Sequence, residues 1–278
     1  MIAIAAAGRS ASGRVRENNE DSLASVSPED PTVLDRKGHL LAIADGLGGH
    51  AAGQVASATA IAGLVGAYYA PTSPARVEPA LQHAVQAANL KVHHAAQGDP
   101  SYRSMQTTLS CLAIVGASAY LAHVGDSRIY RLRGDTLTQL TSDHSEAAEL
   151  IRLRLARPES LAEHPRRNVL TRTLGSQLLL RPDFRREPVQ ADDCFVLCTD
   201  GLWSEVSNDE IGRIVGTSPP DAACEQLIEL QLGRASLDNA TVQVVKVVSL
   251  ERESVVTAGE AGNWLNGLLG HFRSPTSR

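Results

Sequence analysis

Four acidic residues stand beside runs that read as β-strands. Residues 40–44 lead into Asp45-Gly46, 195–199 into Asp200-Gly201 and 119–124 into Gly125-Asp126-Ser127, while Asp238-Asn239 opens a final run. An Asp beside a Gly is also ordinary tight-turn chemistry, and Gly134-Asp135 reads as such a turn between 129–132 and 136–140. Taken alone, Asp126 fits a turn as well as a ligand. Taken together, the acids point to more. Ends of adjacent strands converge, and carboxylates gathered there repel one another unless they are protonated or bind a cation. Oxygen donors without organised His or Cys select hard ions such as Mg²⁺ or Mn²⁺ over zinc. Two such ions roughly 3.5–4 Å apart can share a water, lower its pKa and hold a phosphoryl group for in-line attack.

A second chemistry competes for one of these stretches. Gly46-Leu47-Gly48-Gly49-His50-Ala51 has the G-x-G-x-x-A spacing of a dinucleotide fingerprint and lies between a strand and a helix. Asp45 directly before the first glycine would repel a pyrophosphate, and no acid-tipped strand follows about 20 residues on. The nucleotide reading is set aside on those grounds.

The elements that must position the acids are legible from periodicity. Strands are expected at 40–44, 108–115, 119–124, 129–132, 136–140, 195–198 and 241–248, and helices at 53–69, 79–97, 143–157, 209–215 and 220–234. The first helix is Ala-rich and apolar almost all round, which predicts burial. Successive strands such as 119–124, 129–132 and 136–140 follow one another in hairpin style. Strands grouped apart from long helices predict an α+β layering on antiparallel sheets.

Composition bounds the function classes. The 278 residues carry a formal net charge of −5, with 43% hydrophobic and 21% charged residues, which describes a soluble globular protein and not a basic nucleic-acid binder. Only 4% are aromatic, so stacking on bases is not the main business. Cys111, Cys194, Cys198 and Cys224 form no C-x-x-C pair and read as buried apolar residues of a reducing, cytoplasmic compartment. The apolar start at Met1 is too short for a signal peptide. The uncharged stretches 46–75 and 104–125 are broken by polar residues and turns, so no transmembrane segment is expected. After residue 248 the chain becomes charged and Gly/Ser/Thr-bearing, then Trp264, Leu265, Leu268, Leu269 and Phe272 recur at helical spacing. This divides the chain into a body over 1–250 and a tail over 251–278 with a short amphipathic helix.

The ordered motifs Val15-Arg16-Glu17-Asn18-Asn19-Glu20-Asp21-Ser22, Ala44-Asp45-Gly46-Leu47-Gly48-Gly49-His50, Thr107-Thr108-Leu109, His123-Val124-Gly125-Asp126-Ser127-Arg128, Thr141-Ser142-Asp143-His144-Ser145, Cys198-Thr199-Asp200-Gly201-Leu202-Trp203 and Asp238-Asn239-Ala240-Thr241 resemble those of the PP2C-type (PPM) metal-dependent serine/threonine protein phosphatases in their bacterial form. The resemblance runs over roughly residues 8–248. It implies a four-layer α-β-β-α sandwich, two antiparallel sheets flanked by helices, with a dinuclear Mn²⁺ or Mg²⁺ centre. By position, Asp45 is similar to the bridging ligand and Gly46 contributes its carbonyl. Asp200 and Asp238 would complete one ion, Glu20 would reach the other through water, and Asp126 with Asp200 matches a third, weaker site. Arg16 resembles the arginine that clamps the substrate phosphate, a role suited to a guanidinium fork. Asn19 and Asn239 are expected to orient carboxylates, and Asp21 to support Glu20. Two positions depart from the pattern: Leu47 stands where eukaryotic relatives place a proton-donating His, and Gln54 where many have Glu. His50 is expected to pack at the helix start, and water on an ion to be the proton donor.

The implied activity is single-step hydrolysis of phosphoserine and phosphothreonine by a water activated at the two ions, in a monomeric enzyme acting on phosphorylated proteins and opposing a Ser/Thr protein kinase. The alternative is a non-catalytic regulatory module of the same fold, but the ligand acids that such modules usually lose are present here. Residues 152–186 hold nine arginines against Glu159, Glu163 and Asp183. The resemblance places this basic segment in a flap beside the metal centre, where it is expected to recruit acidic or phosphorylated protein segments.

Overall fold

The computed structural model describes residues 2–250 apart from 15, 17, 49, 50, 158–163, 167, 235 and 236. His50, part of the basic segment and the whole tail at 251–278 therefore lie outside the described residues. One antiparallel sheet is built from β1 (Ile2–Ala11), β11 (Ala240–Leu250), β10 (Cys194–Cys198), β7 (Arg128–Arg133) and β8 (Thr136–Gln139), in that order. The other runs β2 (Asp21–Val26), β3 (His39–Leu47), β5 (Leu109–Val115), β6 (Ser118–Val124) and β9 (Asp183–Pro188), with the short β4 (Gln106–Thr107) paired to β3.

Side-chain alternation explains why the two sheets stack with helices outside them. After α1 (Pro31–Lys37), which joins β2 to β3, the residues Leu40, Ala42 and Ala44 of β3 face a core built with α2 (Ala51–Tyr68) and α3 (Val77–Gly98), whereas Leu41 and Ile43 face the gap between the sheets. Along β10, Cys194, Val196 and Cys198 pack toward α6 (Asn208–Thr217) and α7 (Pro220–Gly233), while Phe195 and Leu197 enter the gap. Three apolar layers thus separate four structural layers, the α-β-β-α sandwich that the resemblance implies.

Several expected elements are shorter, longer or differently connected. The helix expected over 143–157 is α4 (Glu146–Arg152), because Ser145 in extended backbone caps it through the Ala148 N–H and Arg154 takes a positive φ of 60° beyond it. Strands β6 and β7 are not a hairpin. They lie in different sheets, so residues 125–127 carry the chain across the gap. By contrast, Gly134-Asp135 is the expected two-residue link within one sheet, with Gly134 at φ 55°.

Candidate metal centre

The alternation that places Leu41 and Ile43 in the gap carries on to Asp45, and the same parity along β2 places Asp21 there. The two acids are direct cross-strand partners. From the opposite sheet come Asp200, at the start of the short helix α5 (Asp200–Trp203), and Asp238, just before β11. Asp126 enters from the crossing at 125–127. The structure brings these acids together at one end of the gap: Asp45 feels the charges of Asp21, Asp200 and Asp126, and Asp200 feels that of Asp238.

Glu20 is held by backbone and by close approach. Its N–H donates to Asn239 Oδ1 at 2.9 Å, and its carbonyl accepts from the Gly46 N–H and from Ser57 Oγ. A Cβ on Gly46 would lie 2.0 Å from the Gly53 carbonyl oxygen, and one on Gly53 would lie 2.7 Å from the Glu20 carboxyl carbon. Only glycines allow β3, α2 and the Glu20 loop to meet so tightly. Asn239 also donates to the Ser12 and Asn18 carbonyls, and Asn19 Oδ1 accepts from the Asp21 N–H. Both asparagines therefore fix the backbone that carries Glu20 and Asp21. Arg16, half-exposed at the rim, places Nη2 at 3.0 Å from Asp238 Oδ1.

Further residues carry the site that the strand-end acids alone do not reveal. Thr199 and Thr241 both donate to Asp21 Oδ2, at 2.9 and 2.7 Å, bridging the sheets. Thr108 Oγ1 accepts from the Asp45 N–H and meets Ser127 Oγ, and Thr107 Oγ1 donates to the Asp45 carbonyl. The available signal was a hydroxyl residue directly before Asp200, two after Asn239, and a Thr pair ahead of β5.

Burial and mutual repulsion push the carboxyls of Asp45 and Asp126 well above the ordinary range and raise Asp200 as well, with Asp45 and Asp200 hydrogen-bonded to each other. Asp21 rises to about 7, chiefly through burial, with its two hydroxyl donors opposing the shift. Asp200 Oδ1 and Asp21 Oδ1 are buried with no hydrogen-bond partner among the described residues. Orphaned carboxylate oxygens beside acids that hold one another protonated are what a divalent cation relieves. Among the described residues no three His, Cys, Asp or Glu side chains form a ready-made single-ion cage. Ions would be held by carboxylates shared between them, with a carbonyl and solvent completing the shell, the habit of hard octahedral cations. The donor set therefore fits Mn²⁺ or Mg²⁺.

A family model described as Protein phosphatase 2C matches residues 9–228. Protein phosphatase PhpP of Streptococcus pneumoniae is 36% identical over 240 residues, 84% of this chain and 94% of that protein. Serine/threonine protein phosphatase PstP of Mycobacterium tuberculosis is 35% identical over 246 residues, 88% of this chain and 45% of PstP. A crystal structure of the PstP catalytic domain in complex with two manganese ions superposes with a TM-score of 0.78 at 33% identity, covering 90% of this chain and all of that one.

The raised carboxyls fix the sign of a pH dependence. A group whose folded-state pKa is raised stabilises the fold below its unfolded pKa, and this stability is lost as pH rises through the folded value. For Asp21 that window runs from about 4 to about 7. Chelator-treated protein should melt at progressively lower temperature from pH 5 to pH 8, and Mn²⁺ should raise the melting temperature more at pH 8 than at pH 5. Differential scanning calorimetry checks both, and a melting temperature that climbs with pH in the chelated protein would contradict the burial argument.

Proposed function

Because this chain belongs to the protein phosphatase 2C family of metal-dependent serine/threonine protein phosphatases, we propose that the acids at the end of the inter-sheet gap are its catalytic metal centre and that Arg16 binds the phosphoryl group. The observation that carries this reading is that buried acids from both sheets meet here, with Asp200 Oδ1 and Asp21 Oδ1 lacking any hydrogen-bond partner among the described residues. Asp45 would serve both ions, with the Gly46 carbonyl contributing; Asp200 and Asp238 would complete one ion, Glu20 would reach the other through water, and Asp126 with Asp200 would hold a third, weaker one. When bound, Mn²⁺ or Mg²⁺ lowers the pKa of a water and offsets charge on the phosphoryl oxygens.

The remaining steps belong to the chain. Thr199 and Thr241 hold Asp21 from the opposite sheet, and Thr107 and Thr108 fix the peptide of Asp45, so the central acids need little rearrangement when substrate arrives. Arg16 sits at the open rim with its fork directed to Asp238, where its other N–H groups can meet phosphoryl oxygens. With Leu47 following Gly46, that position offers no proton to the departing serine or threonine oxygen, and solvent supplies it.

The protein part of the substrate meets the flap. Backbone N–H of His144 donates to the Gly125 carbonyl at 2.7 Å, so the start of α4 is pinned beside the Asp126 turn. Its seven residues span about 10 Å, equal to about three residues of extended substrate. Several of the segment's arginines are already engaged: Arg166 with Glu146, Arg172 with Asp183 and Arg185 with Glu187. Arg152 and Arg154 stand exposed beside Leu153 and Leu155. This surface suits acidic or phosphorylated segments with an apolar residue near the phosphosite. We further read the protein as a monomeric cytoplasmic enzyme that opposes a bacterial Ser/Thr protein kinase, its catalytic unit spanning residues 1–250. All four cysteines are free and buried, which suits a reducing compartment, and among the described residues no helix is long and apolar enough to cross a membrane.

Asp45→Asn and Asp200→Asn should each remove most Mn²⁺-dependent turnover of p-nitrophenyl phosphate, on the order of 100-fold or more as for loss of other metal-orienting groups; near-normal turnover in both sinks the assignment. Reversing the charge of Arg152, Arg154 and Arg157 to Glu should raise KM for a phosphoprotein while sparing p-nitrophenyl phosphate. An equal effect on the two substrates rejects the flap surface.

A further inference from the structure

The Thr141-Ser142-Asp143-His144-Ser145 motif has no part in the chemistry described so far, yet His144 is buried against the Asp126 turn. It grips Gly125 twice: its backbone N–H donates to the Gly125 carbonyl at 2.7 Å, and its ring Nδ1 accepts from the Gly125 N–H at 3.1 Å. Gly125 has φ 108°, and a Cβ there would lie 2.5 Å from Thr108 Cγ2. The peptide is thus boxed between Thr108, which also fixes Asp45, and His144. The Asp126 carbonyl is held in turn by Trp203 Nε1 at 3.0 Å.

The other side of the ring is equally defined. Because Nδ1 accepts from the Gly125 N–H, the neutral ring carries its hydrogen on Nε2, which faces Asp183 Oδ2 at 3.2 Å, with Arg172 Nη1 also 3.2 Å from Nε2. Arg172 donates to the second oxygen of Asp183 at 2.9 Å. His123 stacks on His144 with ring centroids 4.8 Å apart, and is itself fixed by Ser110 and the Ser142 carbonyl. Burial lowers the pKa of both imidazoles, which keeps Nδ1 of His144 available as an acceptor.

We infer that His144 is a positioning residue that sets the direction in which Asp126 enters the metal centre, with Asp183, itself held by Arg172, fixing its tautomer from the flap side. The inference rests on the reading that Asp126 helps hold an ion. A carboxylate aimed by a fixed backbone turn loses affinity when the turn is freed, typically 10–100-fold for residues that orient metal ligands.

The test measures Mn²⁺ binding by isothermal titration calorimetry on the full chain, and amide hydrogen exchange of residues 121–128 in the chelated protein. His144→Ala should weaken the weakest Mn²⁺ site about 10-fold or more, leave the tighter sites in place, and speed exchange at Gly125. His144→Asn, whose amide oxygen can stand where Nδ1 was, should restore both, whereas His144→Gln should not. If His144→Ala fails to fold, the Asn and Gln pair carries the comparison. In an Asp126→Asn background, His144→Ala should cause no further loss of Mn²⁺ binding or of kcat. Equal weakening of every site, or an equal further loss in that background, would overturn the inference. So would Asn and Gln behaving alike. Should Asp126→Asn itself leave every Mn²⁺ site intact, the reading of Asp126 as a ligand fails and takes this inference with it. Weakening by Asp126→Asn but not by His144→Ala refutes the inference alone.

Discussion

Repulsion among buried carboxylates is the constraint around which this fold is organised. Asp21, Asp45, Asp126, Asp200 and Asp238 converge at one end of a gap that is otherwise lined by Leu41, Ile43, Phe195, Leu197 and Val245. Low dielectric magnifies the repulsion that water would screen. Such a cluster is tolerated only when its acids share protons or meet a cation, and the same demand that makes it costly makes it a strong site for divalent ions. Structure and chemistry here have one cause.

Two sheets are what make the convergence achievable. Each strand brings its acid to the end of the gap, and no single sheet could set five carboxylates face to face. Hydroxyls do the joining: Thr199 and Thr241 cross from one sheet to Asp21 on the other, and Thr108 ties Asp45 to the 125–127 crossing. Close approach of Gly46 and Gly53 lets α2 and the Glu20 loop share that space. His144 pins the start of α4 back onto the same crossing, so the segment after β8 is anchored beside Asp126.

Much of this was legible in the sequence because two-residue alternation and terminal Asp-Gly pairs are local signals. Strands β3, β5, β6, β7, β8, β10 and β11 and the helices packed on them follow from apolar periodicity. Strand β1 escaped because beyond Ile2 and Ile4 its residues are mainly Ala with Gly8, Arg9 and Ser10, carrying little β-branched character. Strand β9 escaped because its Asp-Phe-Arg-Arg-Glu-Pro run is charged at an edge, where charge blunts further pairing. The crossing between β6 and β7 looked like a hairpin because a turn and a sheet-to-sheet step use the same residue types. Least visible were the partners of the acids. That Arg16 sits on Asp238, that two threonines hold Asp21, and that His144 is drawn out of the start of the expected helix by gripping Gly125 are all contacts between residues far apart in the chain, and nothing in local spacing encodes them.

The central claim is that these acids form a two-ion centre with Asp45 between the ions. Crystals grown with Mn²⁺ and measured on the high-energy side of the manganese absorption edge test it directly. The account predicts two strong anomalous peaks roughly 3.5–4 Å apart, with the Asp45 carboxylate between them and Asp200 on one. A single peak, or peaks that leave Asp45 and Asp200 uncontacted, would contradict it.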